Sequence, residues 1–405
     1  MEDNPYRPHL VASTEGSDLG PNGIEESYRT PTNGPEHPSP GSTHFKSAQW
    51  SPDGTTILTS TADHVLKTYI LPSELLSAES PIHLLSYASH PSPEPVYATA
   101  IHPSYTLQDP ASTIYLASPR SLPIRLLSPF SPSILASYPL VSKTTEEYIS
   151  PHSLLFSIHN PHTFFAGSLN LISSFDINRN GEGPVERMPT VPSKRSQVVG
   201  GIGGIKGIVS ALGMSSEGIL AAGTFSRWVG LYDAYGRGGS LGAFQLQADR
   251  SSQEAGTGIT QVLWSLDGRY LCVAERCGGG VGIWDVRGTG KKLAWMRGRN
   301  AETNQRMGVE MVGNELWAGG LDGRVRVWHG VGEREGIIDP TWEFEAHTDA
   351  VSSATWHYSG SVLATCSGQR HSDDDVECST EDPENSVPPS RARQADNSLK
   401  IWGVE

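Results

Sequence analysis

Three short polar segments carry the side chains that phosphate groups and unpaired bases demand. Residues 223–227 read GTFSR, residues 303–306 read TNQR and residues 367–370 read SGQR, each ending on an arginine. A guanidinium offers a planar fork of donors to phosphate oxygens, Asn and Gln amides both donate to and accept from a base edge, and Phe225 supplies a ring on which a base can stack. Phe225, Arg227, Asn304, Gln305, Arg306, Gln369 and Arg370 are therefore the candidate contact residues, provided the fold gathers three distant segments. The competing explanation is that some of these side chains bond their own loop backbones.

The elements that must gather them recur along the chain. Residues 45–71 read as an apolar strand, a Ser-Pro-Asp-Gly turn, a strand of small residues and a third strand closing on aromatics, and residues 258–286 repeat the pattern. Further copies begin near Val96, Pro151, Ile208, Met307 and Val351. Strand repeats at this spacing build propeller blades, so the expected fold is all-β, a seven-bladed β-propeller of the WD40 type. In such a ring the loops between second and third strands, and those leading into first strands, open on one face, which would bring the three polar segments to one rim.

Residues 44–405 are read as the ring and residues 1–43, rich in Pro, Gly, Ser and Glu, as a mostly disordered tail. Residues 9–13 are expected to supply an outer strand that closes the last blade, since an open ring leaves a bare strand edge. Outer strands are expected at 83–88, 135–140, 241–247, 292–297 and 341–345. Two insertions are read at 178–207 and 371–397, the second carrying seven acidic residues directly after Arg370.

The chain of 405 residues has a net charge of −14, yet residues 187–306 hold 15 Lys/Arg against 8 Asp/Glu. A basic sector beside acidic tails fits a polyanion-facing side; the alternative is an Arg-rich solvated surface. No charged leader with an apolar run opens the sequence and no stretch approaches 18 apolar residues, so neither secretion nor membrane contact is expected. The Gly-rich run 200–207 lacks phosphate-loop spacing and precedes a strand. His152, His159 and His162 fit no zinc spacing and are read as loop and strand residues, and Cys272 and Cys366 as buried strand thiols. Trp284, Phe175, Tyr232, Trp328 and Trp402 close third strands as packing between blades, and His347 is read as a buried tie between a loop and an Asp. With no GxSxG, HExxH or supported Cys-His pattern, no catalytic residue, metal or cofactor is expected.

The stretches HFKSAQWSPDGTTILTSTADHVLKTYILP (44–72), YISPHSLLFS (148–157), GTFSRWVGLYDAYG (223–236), ETNQRMGVEM (302–311) and LATCSGQR (363–370) resemble, in this order, the telomerase Cajal body protein family and its fungal members. The likeness runs from about Phe45 to Trp402. It implies a monomeric, nuclear, non-catalytic factor that binds small nuclear and small Cajal body RNAs, including telomerase RNA, with ribonucleoprotein proteins as partners, and promotes assembly or localisation of those particles. It places RNA contacts on Phe225, Arg227, Asn304, Gln305, Arg306, Gln369 and Arg370. Residues 102–127 depart from the pattern, with a Pro-rich third strand and no closing Trp-Asp. A protein-only WD-repeat scaffold linked to pre-mRNA splicing or another nuclear complex is the alternative.

Overall fold

Ser51, Asp53 and Gly54 close the first hairpin by local chemistry. Ser51 Oγ donates to Asp53 Oδ1 at 2.5 Å and accepts from the Thr56 amide at 3.0 Å, while Gly54 takes φ +68°, a backbone state that a Cβ disfavours. Ser265, Asp267 and Gly268 repeat the device, with Gly268 also at φ +68°. These turns fix the register of the two strands they join, and hence which side chains face the core.

The structure is a computed structural model and describes residues 6–14, 43–191, 204–233, 239–246, 255–288, 290–369 and 396–404. Seven sheets, each antiparallel through its first four strands, follow one another along the chain as blades one to seven. Their inner strands are Phe45–Trp50, Val96–Ile101, Ser153–Phe156, Val209–Met214, Gly258–Trp264, Val309–Val312 and Val351–Trp356. Blade seven is completed by the N-terminal strand Pro8–Ser13, which pairs antiparallel with Leu399–Val404. Sequence-distant ends thus share one sheet, and the ring has no open blade.

Outer strands show where the sequence pattern misled. In blade one the fourth strand is Ala88–Pro91 rather than residues 83–88. Ile82–His83 instead runs parallel to the N-terminal strand, and Leu84 is buried with Val11 and Ala12, so apolar burial diverts this segment to blade seven. Glu186–Pro189, inside the stretch read as an insertion, forms the fourth strand of blade three against Leu171–Asp176. Its charge and proline concealed a surface strand that lacks alternation. Gly336–Ile338 adds a parallel fifth strand to blade five. The expected disorder of residues 15–42, and the acidic run of the second insertion, concern residues outside the described ones.

Aromatic and β-branched side chains fill the spaces between blades. Phe175, Tyr232, Trp284 and Trp328 are buried as expected of third-strand endings, whereas Trp402 is half-buried. In blade two the same work falls to Tyr115, whose hydroxyl meets His90 Nδ1 at 2.8 Å, and to Tyr138, whose hydroxyl donates to Ile177 O at 2.7 Å. Cys272 and Cys366 are buried free thiols whose pKa burial pushes up to about 12. Among the described residues no helix is long and apolar enough to cross a membrane.

Blade seven contains one fully connected polar relay. Trp402 Nε1 donates to Thr365 Oγ1 at 2.9 Å, Thr365 Oγ1 meets His347 Nε2 at 2.8 Å, and His347 Nδ1 meets Asp396 Oδ2 at 3.1 Å. Burial holds His347 below its usual pKa, so the ring is neutral, accepts from Thr365 and donates to Asp396. The relay ties the loop entering blade seven to its second and third strands. It is architecture.

Candidate functional site

Irregular pairing at the inner strands shapes the channel mouth. The register shifts between Phe45 and Ser47, Val96 and Ala98, Val209 and Ala211, Ile259 and Gln261, and Val351 and Ser353. Such bulges re-aim one side chain, and several of these reach the next blade. Ser352 Oγ donates to Phe45 O at 2.9 Å, Lys46 Nζ to Val96 O at 3.2 Å, and Ser210 Oγ to Ile259 O at 2.5 Å. In blade two the residue so placed is Tyr97, which stacks on His152 of the following blade with centroids 4.4 Å apart and planes at 13°.

That stack continues across four blades. The His152 ring meets Phe225 edge-on at 6.0 Å, and the Arg276 guanidinium lies 4.1 Å above the Phe225 ring. Tyr97, His152, Phe225 and Arg276 come from blades two, three, four and five, all at the end where second-to-third-strand loops open. Arg306, leading into blade six, extends across the mouth of the central channel, a space of about 930 Å³, to Ser210 O at 3.1 Å and His152 O at 3.4 Å.

Charge at this mouth is uneven. Arg227, at φ +63°, forms a two-point pair with Glu275, Nε to Oε1 at 2.6 Å and Nη2 to Oε2 at 3.1 Å. Side-chain exposures of 14% and 3% make this a buried clamp between blades four and five. Gly258 lets that clamp close, since a Cβ there would lie 2.8 Å from Phe225 O. Arg276 and Arg306, in contrast, have no carboxylate partner among the described residues, and Arg276 Nε is buried with no hydrogen bond. Arg306 is open to solvent along the channel axis but enclosed laterally by the ring. Desolvation first, and Arg276 second, pull its pKa down to about 10. Burial, then Arg306, then Arg276 also lower His152, which keeps its imidazole neutral.

The seven candidate residues therefore separate. Phe225 and Arg306 lie at the mouth. Arg227 is beside them with its charge neutralised by Glu275. Gln305 Nε2 donates to Gly368 O at 3.0 Å and Gln369 Nε2 to Asp349 Oδ1 at 2.9 Å, so each amide holds a loop in place. Asn304 is exposed, its Oδ1 lying 3.6 Å from Cys277 Sγ. Arg370 lies outside the described residues.

Sequence reasoning missed Tyr97 and Arg276 and gave His152 no role. A signal existed for Arg276: AER at 274–276 ends a second strand just as FSR and GQR follow theirs. Tyr97 depends on a bulge, which leaves no mark in composition. The described part of the Gly-rich run packs instead of binding: Ile205 is fully buried and its carbonyl accepts from Thr190 Oγ1 at 2.8 Å. No group of three His, Cys, Asp or Glu suited to a metal occurs among the described residues.

A ring of seven blades, each with four antiparallel strands and two with an added fifth, together with a His-Asp-Thr-Trp relay defines a WD-repeat β-propeller, and residues 338–375 match the model of the WD domain, G-beta repeat. This is a scaffold fold whose members are typically non-catalytic. The chain belongs to the telomerase Cajal body protein family. It is 32% identical over 315 residues to Guanine nucleotide-binding protein negative regulator 1 of Schizosaccharomyces pombe, covering 76% of this chain and 74% of that protein. It is 27% identical over 367 residues to human Telomerase Cajal body protein 1, covering 88% of this chain and 63% of the human protein. A Drosophila melanogaster homolog is 25% identical over 81% of this chain and 57% of that protein. The chain thus spans about three-fifths of the length of the telomerase Cajal body proteins it matches.

Proposed function

We propose that this propeller is a non-catalytic RNA-binding factor of the nucleus, which holds an unpaired segment of small nuclear or small Cajal body RNAs, telomerase RNA included, and promotes assembly or localisation of their ribonucleoproteins. The observation that carries this reading is the row Tyr97, His152, Phe225 and Arg276 with Arg306 beside it. Aromatic faces accept bases of any sequence, and guanidinium groups left without carboxylates accept phosphates. The names of the relatives place those proteins with telomerase and the Cajal body, which supports a nuclear RNA partner here.

The test is ultraviolet crosslinking of the tagged full chain in nuclear extract, with and without ribonuclease. Small nuclear RNA crosslinked to peptides containing Tyr97 or Phe225 supports the reading. Partners that survive nuclease, with no crosslinked RNA, support a protein-only scaffold instead. One feature favours that second reading: Leu266 and Tyr358, on turns at the opposite mouth, are 87% and 75% exposed.

A further inference from the structure

The arginines of blades four to six differ in what balances their charge. Arg227 faces Glu275, Arg287 faces Asp285, Arg297 faces Asp339, and Arg326 faces Asp322 and Glu343. Arg299 is 1% exposed, and its Nη2 donates to the carbonyls of Met307 and Gly308 at 2.9 and 3.1 Å, anchoring the base of the 303–306 loop. At the channel mouth two guanidinium groups influence each other, and neither has an acidic partner among the described residues. Two adjacent like charges in a partly desolvated mouth are unfavourable unless something anionic joins them.

The local geometry leaves donors for that anion. The Arg276 guanidinium carbon lies 4.1 Å from the centroid of the Phe225 ring, a contact that uses up none of its N–H donors, and its Nε has no hydrogen-bond partner. Arg306 reaches its two carbonyls at 3.1 to 3.5 Å, long for charge-assisted bonds, which leaves its fork undersatisfied. Lysine at either place would bring charge without the planar fork.

Resting on the RNA reading above, we infer that the channel mouth is a seat for a single phosphate group, gripped between Arg276 and Arg306, with the Tyr97–His152–Phe225 row receiving the nucleotides that flank it. The shared chemistry is a tetrahedral phosphate oxyanion. Its source is either a phosphodiester of single-stranded RNA or a free phosphate, and two arms of one experiment separate these.

In the first arm, single-stranded RNAs derived from a small nuclear RNA loop carry one neutral methylphosphonate at successive positions, and binding to the full chain is read by fluorescence anisotropy. One position should lose about 10-fold in affinity with the wild type, as expected for a charged hydrogen-bond pair, and lose less than about 2-fold with Arg276→Gln. Arg276→Lys, also checked by thermal melting, keeps the charge and separates loss of the fork from loss of fold. In the second arm, pyrophosphate is titrated at constant ionic strength while the His152 ring signals are followed by NMR. They should move in the wild type and stay fixed in the Arg276→Gln/Arg306→Gln protein. Pyrophosphate-dependent movement without any RNA binding retains the seat for a free phosphate and removes the RNA reading. RNA binding with a methylphosphonate profile unchanged by Arg276→Gln, and no movement of His152, removes the seat and leaves the RNA reading standing.

Discussion

The outer wall of blades five and six and the mouth of the channel are both rich in arginine, but only the wall balances its own charge. Arg326 is buried and held by Asp322 and Glu343, while Arg297 with Asp339 and Arg324 with Glu343 form exposed or half-exposed pairs on this wall. Such pairs contribute little individually and keep the surface soluble. At the mouth, Arg276 and Arg306 have an aromatic face and backbone carbonyls for company. Within the basic sector of residues 187–306, Arg227, Arg269, Arg287 and Arg297 have acidic partners, whereas Arg276 and Arg306 at the mouth have none among the described residues. A positive stretch of sequence is no guide to a positive surface until its partners are known.

The comparison breaks most sharply where a paired charge is buried. Glu275→Gln leaves Arg227 unpaired behind the rim, and should lower stability by about 3–5 kcal/mol in a urea titration. Asp339→Asn on the outer wall should lower it by less than about 1 kcal/mol. Similar losses in the two variants would erase the distinction between clamp and wall.

Blade seven extends the contrast to pH. Burial alone would raise the Asp396 carboxyl, but the hydrogen bond from His347, then Ser398 and Lys400, hold it well below the usual carboxylate range. A depressed acid contributes stability that is complete above its unfolded pKa of about 3.9 and is lost as pH falls toward the folded value. Asp396→Asn should therefore lower stability by about 2–3 kcal/mol at pH 7 and much less near pH 2, read by calorimetry across pH. An equal loss at both pH values would show that the carboxylate charge is not what ties the loop.

A smaller effect of opposite sign is expected inside the channel. Burial raises Glu310 to about 7, with Thr355 Oγ1 3.4 Å away opposing the shift. The charged form is disfavoured in the fold, so stability falls as pH rises from about 4.3 to 7 and the penalty is complete above that. Solvent in the channel reduces the effect, and Glu310→Gln should stabilise the ring by about 1–2 kcal/mol at pH 8 and by almost nothing at pH 4. Denaturant midpoints at the two pH values check this, and a loss at pH 8 would contradict it.

How much was legible in the sequence follows from what each feature depends on. Seven blades could be read because alternation and Asp-Gly turns are local. The fourth strands of blades one and three could not, since Ala88–Pro91 and Glu186–Pro189 are short surface strands without apolar alternation. The shared rim of Phe225 and Arg306 follows from propeller topology. The fate of Arg227 does not, because its partner Glu275 lies 48 residues away on a neighbouring blade. Arg276 was overlooked for a related reason: the neighbouring Glu275 makes it look paired, whereas successive residues of a strand face opposite sides and that carboxylate is turned to Arg227.

The most direct measurement is the salt dependence of RNA binding for three proteins: wild type, the mouth variant Arg276→Gln/Arg306→Gln and the wall variant Arg297→Gln/Arg324→Gln. If Arg276 and Arg306 meet phosphate, the mouth variant should lose about 100-fold in affinity and the slope of log K against log salt should flatten by about 1. The wall variant should stay within about 2-fold of wild type with its slope unchanged. Equal losses in the two variants, or a mouth variant that binds as tightly and as salt-dependently as wild type, would contradict the account.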